Sequence, residues 1–225
     1  MIDQLTIGSK ASYDDFGASV AKRTISQPKK KSIKETIPHS NITYDFSNIN
    51  GEIYWEERDL EYIFEIMADT PQALESLKTA FATWVMNVSS ESIFDPFISD
   101  YHFVGTFDSM SYADDDCMEK TTATVSFKAY PYKIANQEKS YKKVVAAGGS
   151  ETIVAVNNSS HRLFPTITLS GTCSVTFNGI TYTIPAGTYT GDSLWLVVGD
   201  NAFVFKNPST TNDCTVTISF YEEVF

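Results

Sequence analysis

Asn178-Gly179 is the tightest local constraint in the chain, because a two-residue type I′ turn needs positive φ at both central positions and these two residues tolerate it best. Such a turn dictates register. It sets Phe177 opposite Ile180, Val175 opposite Tyr182 and Cys173 opposite Ile184 on one face, with Thr176 opposite Thr181 and Ser174 opposite Thr183 on the other. One face is expected dry and one wet, so a second layer must cover the dry face. Short apolar runs at Ile153–Val156, Ile167–Leu169, Leu194–Val198 and Phe203–Phe205, and the alternation Cys214, Val216, Ile218, Phe220, supply the other strands. Six or seven short strands without a helix predict a compact all-β sandwich over residues 152–225. Cys173 and Cys214 then read as small core hydrophobes, and Cys117 as a third free thiol, since three distant cysteines fit neither a disulfide framework nor a zinc motif.

The first part of the chain has a different texture. Thr70 can cap a helix whose first position is Pro71, and Leu74, Leu77, Phe81, Trp84, Val85 and Val88 then follow at steps of three and four. The spacing predicts one amphipathic helix over about 70–88, with Glu75 and Lys78 or Thr79 outward and Trp84 in a core against a sheet. Tyr101, Phe103, Gly105 and Phe107 alternate with polar residues, as do Ala123, Val125, Phe127 and Ala129, which predicts a long hairpin. Between them lies Asp114-Asp115-Asp116, which lacks the alternating ligands, turn glycine and distal Glu of a calcium loop and reads as a solvated tip. A short alternating run around Ile2, Leu5 and Ile7 adds a strand. Lys139 to Lys143 and Gly148-Gly149-Ser150 read as a connection. Beyond residue 143 only Arg162 and Lys206 are basic, against six acids. The fold class expected is therefore β-rich α+β: an N-terminal sheet or barrel with one helix over 1–140, a linker over 141–151, and the sandwich over 152–225.

Charge and motifs narrow the function. A formal charge of −11 opposes phosphate neutralisation, so direct nucleic-acid binding is not expected. No run approaches the ~20 apolar residues of a membrane span, and the start carries no basic and apolar leader, so the chain is expected to be made and kept in the cytosol. The three histidines, His39, His102 and His161, stand in no nucleophile elbow or metal-binding helix motif, and the pairs Glu56-Glu57 and Glu222-Glu223 point to opposite faces of any strand. Neither an enzyme, a cofactor nor a metal site is expected. The alternative of a carbohydrate-binding sandwich rests on Tyr182, Tyr189 and Trp195. Tyr182 is claimed by the dry face and Trp195 lies in an apolar run.

The series Tyr13-Asp14-Asp15-Phe16-Gly17, Lys29-Lys30-Lys31, Pro38-His39-Ser40-Asn41, Tyr44-Asp45-Phe46-Ser47, Arg58-Asp59-Leu60 and Phe127-Lys128-Ala129-Tyr130-Pro131-Tyr132-Lys133 resembles the N-terminal domain of phage distal tail proteins. The resemblance covers residues 1 to about 135, and the rest of the chain by size and strand pattern. It implies a structural tail-tip or baseplate hub protein. N-terminal domains would form a hexameric ring around a DNA channel, joining the tail tube and tape-measure protein to the tail-associated protein. A galectin- or carbohydrate-binding-module-like sandwich would project toward receptor-binding or other baseplate proteins. The virion tail tip would be its location, after assembly in the host cytoplasm. Residues 14–50 would be an arm embracing the neighbouring copy. The interface residues expected are Lys29, Lys30 and Lys31, facing an acidic neighbour, with Tyr44, Phe46, Tyr130 and Tyr132.

Overall fold

The computed structural model describes residues 3–39, 41–47 and 53–225. The chain divides into two units, Met1–Lys133 with Phe225, and Ile134–Val224. The division falls ahead of the expected boundary at 140, for a physical reason given below.

In the first unit the elements are β1 (Thr6–Ile7), β2 (Lys10–Ala11), α1 (Ser12–Phe16), β3 (Ser19–Ile25), β4 (Lys34–Thr36), β5 (Thr43–Asp45), β6 (Arg58–Met67), α2 (Pro71–Met86), β7 (Glu91–Phe94), β8 (Tyr101–Asp114) and β9 (Lys120–Ala129). Ile2 of the expected first strand lies outside the described residues. Antiparallel pairing runs β3-β6-β9-β8-β7-β1-β2. Leu60, Tyr62, Phe64 and Ile66 on β6 alternate with polar residues and are buried beside Ala123, Val125, Phe127 and Ala129 on β9. β8 and β9 form the expected hairpin. Gly105 on β8 serves close approach: a Cβ there would lie 3.0 Å from Ile93 Cδ1 and 3.1 Å from the Lys128 carbonyl oxygen.

α2 begins as its sequence dictates, with Thr70 Oγ1 accepting from the Ala73 amide at 3.2 Å and Pro71 first in the helix. Leu74, Phe81 and Val85 are buried, and Phe81 meets Phe64 edge-on at 5.1 Å between centroids. Trp84 is half-buried rather than enclosed; it packs on this core and stacks on Phe16 at 4.8 Å. Phe16 closes α1, a five-residue second helix that sequence spacing does not announce because it is little more than a single turn ending at Gly17. Lys78 differs from its expected outward place: its ammonium pairs with Glu75 at 2.7 Å and Asp114 at 3.0 Å.

The second unit contains β10 (Lys133–Val145, from Ile134 on), β11 (Ser150–Asn157), β12 (Thr166–Leu169), β13 (Cys173–Phe177), β14 (Ile180–Ile184), β15 (Gly187–Tyr189), β16 (Gly199–Lys206) and β17 (Cys214–Val224). They form two sheets, β15-β12-β17-β10 and β11-β16-β13-β14. Val175, Phe177, Phe203 and Phe205 from one sheet and Ile167, Leu169, Val216 and Ile218 from the other share one core. The Asn178-Gly179 turn has φ of 50° and 78°, and the register is the one its type requires. Ile180 departs from the dry face, being 55% exposed, because β14 is the edge strand.

Two expectations are corrected in this unit. Residues 141–151 are not a linker: they hold the end of β10, a tight turn at 146–149 and the start of β11. Half of β10 is exposed and polar, which hides a strand behind the composition of a connection. Leu194–Val198 is not a strand; only Leu196 bridges, to Leu163. Its backbone is held by side chains instead, Asn201 Oδ1 accepting from the Val197 amide at 2.8 Å and Asn157 Nδ2 donating to the Leu196 carbonyl at 3.1 Å.

Candidate assembly surface

Between β3 and β6 the chain leaves the first core and returns as an arm. Pro28 is buried at its root. Lys29, Lys30 and Lys31 are exposed, and their backbone is laddered to the returning strand: the Glu56 amide donates to the Lys29 carbonyl at 2.7 Å, the Lys31 amide to the Tyr54 carbonyl at 2.8 Å, and Lys30 pairs with Trp55. Farther out, β4 and β5 pair Lys34 with Asp45, Glu35 with Tyr44 and Thr36 with Thr43. The Phe46 amide donates to the Ile33 carbonyl at 2.8 Å, and Ser47 Oγ accepts from the Ile33 amide at 2.9 Å. The Ser47 hydroxyl and amide donate to Asp45, which holds its carboxyl below the usual range. Ser40, within one of the quoted motifs, lies outside the described residues.

This pairing sorts the arm's side chains by sign of polarity. Ile33, Glu35, Tyr44 and Phe46 share one face, with Ile37 and Ile42 next along; Lys34, Thr36, Thr43 and Asp45 share the other. The five apolar side chains of the first face are 42 to 58% exposed. Tyr44 and Phe46 stack on each other at 6.3 Å and on neither core. A two-stranded hairpin is marginal alone in water, and a contiguous apolar face on one is a mark of an interaction site.

Tyr130 and Tyr132 divide. Tyr130 is 41% exposed, whereas Tyr132 is buried against Phe225, whose ring lies 4.8 Å from it and 4.9 Å from Trp55. Tyr132 is thus a packing residue of the first unit, and through Phe225 and Trp55 it is tied to the arm's root. The residues expected at an interface thus lie in separate places: three lysines at the arm's root, Tyr44 and Phe46 along it, and Tyr130 just after β9.

Other residues weighed from the sequence are spent on structure. At the tip of β8–β9, Asp114 pairs with Lys78, and Asp115 Oδ1 accepts from the Glu119 and Lys120 amides at 3.0 and 3.2 Å. Among the described residues no three acidic, His or Cys side chains are placed to share a metal ion. His39 is exposed with φ of 67°, His102 lies on Phe94 at 5.0 Å, and His161 Nε2 is 3.1 Å from a Glu223 carboxylate oxygen. Trp195 is half-buried; it meets Phe177 edge-on and carries the Arg162 guanidinium 6.0 Å from its centroid. Cys173 and Cys214 are buried and free; burial, with a hydrogen bond to Cys214, pushes the Cys173 thiol up to about 12.

Sequence reasoning missed a buried network. The Asp95 carboxylate pairs with Arg23 at 2.5 Å, accepts from the Tyr62 hydroxyl at 2.8 Å and takes the Phe97 amide at 2.8 Å. Burial and the Asp95 charge together hold Tyr62 far above the usual phenol value. Its signal was Tyr62 within an inward-facing alternation, which leaves a hydroxyl in need of an acceptor.

No family model matches the chain, and no curated protein matches it. Among solved structures the chain is similar to the Dit protein of SPP1, described as a paradigm of the hub adsorption apparatus in phages infecting Gram-positive bacteria. The TM-score is 0.67 at 12% identity, over 98% of this chain and 99% of that one. Chains of the phage P2 baseplate in its activated conformation, with Ca and with Sr, are similar at 9% identity and TM-scores of 0.43 and 0.41. The first likeness establishes the fold; the other two are too loose to argue from.

Proposed function

We propose that the chain is a structural hub component of a phage tail tip, closing with copies of itself into a hexameric ring that leaves a channel for DNA. The ring joins the tail tube and tape-measure protein to the tail-associated protein, while the C-terminal sandwich meets peripheral baseplate proteins. Its place is the virion, after assembly in the host cytoplasm. The observation that carries this reading is the arm's uncovered apolar face, on a fold shared with SPP1 Dit.

A ring forms when one patch of a subunit meets a different patch of the next and the rotation closes. The arm is a patch of that kind: it stands apart from the core of its own unit and is apolar on one side. Its lysine root would meet an acidic neighbour, and at −11 per chain every copy offers one. A lumen sharing that sign repels passing DNA. No catalytic role is included.

Mass measurement in solution and electron micrographs of the purified chain, alone and with its cognate tail proteins, test the reading. A species of hexamer mass with a central hole is the expected result. Isolated globules under both conditions refute it.

A further inference from the structure

Arg58, first residue of β6, begins the inward alternation that continues through Leu60 and Tyr62, so its side chain enters the core's end rather than solvent. It is 2% exposed. One Nη donates to the Pro131 carbonyl, the guanidinium lies 5.5 Å from the Phe103 centroid, and Nε is buried with no hydrogen-bond partner. Burial lowers its affinity for the proton. Lys133, two residues beyond Pro131, is half-buried, and burial followed by the Arg58 charge lowers its pKa also. Among the described residues no carboxylate pairs with either cation, although the chain has 28 acids for 17 bases.

A guanidinium enclosed without a counter-ion is destabilising unless something supplies the missing charge, and Lys133, two residues along from the carbonyl that Arg58 holds, adds a second cation on the same segment. We infer that Arg58 and Lys133 form a socket for a carboxylate carried by a second copy of this chain, filled when copies assemble. This rests on the ring reading for its source of carboxylate. The guanidinium suits that ligand because it offers planar donors. Tyr130, the exposed interface candidate, adjoins the Pro131 carbonyl that Arg58 holds. A second copy is the occupant the charge ledger favours, since each copy carries acids in excess and a ring contact joins unlike patches.

The test uses the full chain with Arg58→Met, Lys133→Met and the double variant. Each variant is expected to melt at or above the wild-type temperature, because an uncompensated charge is replaced by an apolar side chain. Each is expected to assemble about tenfold more weakly, and wild-type assembly is expected to weaken with sodium chloride. In dilute, unassembled protein, sodium succinate should raise the wild-type melting temperature beyond sodium chloride of equal ionic strength, and the double variant should lack this increment. Absence of the succinate increment overturns the socket. So do variants that assemble like the wild type. If the wild type never assembles yet shows the increment and the double variant does not, the carboxylate site stands and the ring reading falls.

Discussion

Replacing Tyr44 and Phe46 together by Thr tests the arm directly. Thr keeps a β-branched side chain suited to a strand while removing most of the apolar area. The two rings are 44% and 42% exposed. An aromatic side chain buries roughly 150–250 Å² when fully enclosed, so about 65–105 Å² of each remains for a partner to cover. At ~25 cal/mol per Å² the pair contributes about 4 kcal/mol to one interface, and ordering of side chains on association brings the net nearer 2–4 kcal/mol. Association of one copy with the next should therefore weaken by roughly 30- to 1000-fold.

Sedimentation velocity across a concentration series reads this out, with thermal unfolding as the control. Neither ring belongs to a core, so the unfolding free energy of the monomer should change by no more than an ordinary surface substitution does, about 0.5 kcal/mol. Lys34→Ser, on the polar face of the same hairpin, should leave assembly within about threefold of the wild type. Identical concentration dependence for the Tyr44/Phe46 variant and the wild type would refute the argument that the apolar face is what a neighbour covers. An equal loss on Lys34→Ser would refute it too, because any change to the hairpin would then suffice.

Phe81→Ala should cost about 3–5 kcal/mol in urea unfolding, since Phe81 is fully buried and touches Phe16, Phe64 and Trp84; a loss below ~1 kcal/mol would contradict this packing. A thiol reagent should modify exposed Cys117 at once and Cys173 and Cys214 only after unfolding, so immediate modification of all three refutes the sandwich core. Burial raises Tyr112 from 10.0 to about 12 while its hydroxyl donates to the Lys78 carbonyl, so its contribution is fully present below about pH 10 and lost as pH climbs toward 12. Tyr112→Phe should flatten the alkaline decline of stability in that window.

How much of this was legible in the sequence depended on how locally each element is determined. The Asn178–Gly179 hairpin was read to the residue because its turn type alone sets the pairing, and α2 because cap, proline and apolar stripe agree. β10 was misread because its exposed, charged residues carry no alternation that a sandwich partner would impose, and Leu194–Val198 because an apolar run does not say whether sheet neighbours or buried asparagines will satisfy its backbone. The arm was expected over residues 14–50, but its first part is α1 and β3, with Phe16, Ala18 and Val20 in the first core; a segment without helical period gave no sign of that strand or of the pairing of β4 with β5. Arg58 was noted only as part of a resemblance. Its meaning lies in what is missing around it, and a missing counter-charge is visible only once the whole neighbourhood is in place.

On the proposed assembly reading, function resides in surfaces rather than in a cleft. Each unit closes its own core, the first around Phe64, Phe81 and Phe127 and the second around Phe177, Phe203 and Phe205, while Asp114 and His161 are held in pairs with Lys78 and Glu223. The arm carries exposed apolar area and Arg58 an enclosed charge, two deficits of opposite kind in the first unit. Apolar area is quenched by any dry contact, whereas a buried cation asks for one group at one place. Together they specify a partner more narrowly than either does: a neighbour that is apolar where the arm lies and acidic at the end of β6. An arm variant should therefore weaken assembly equally at low and high salt, while a socket variant should remove most of the salt dependence that the wild type shows. Equal salt slopes for wild type and socket variants would separate the two deficits and leave only the arm as an assembly determinant.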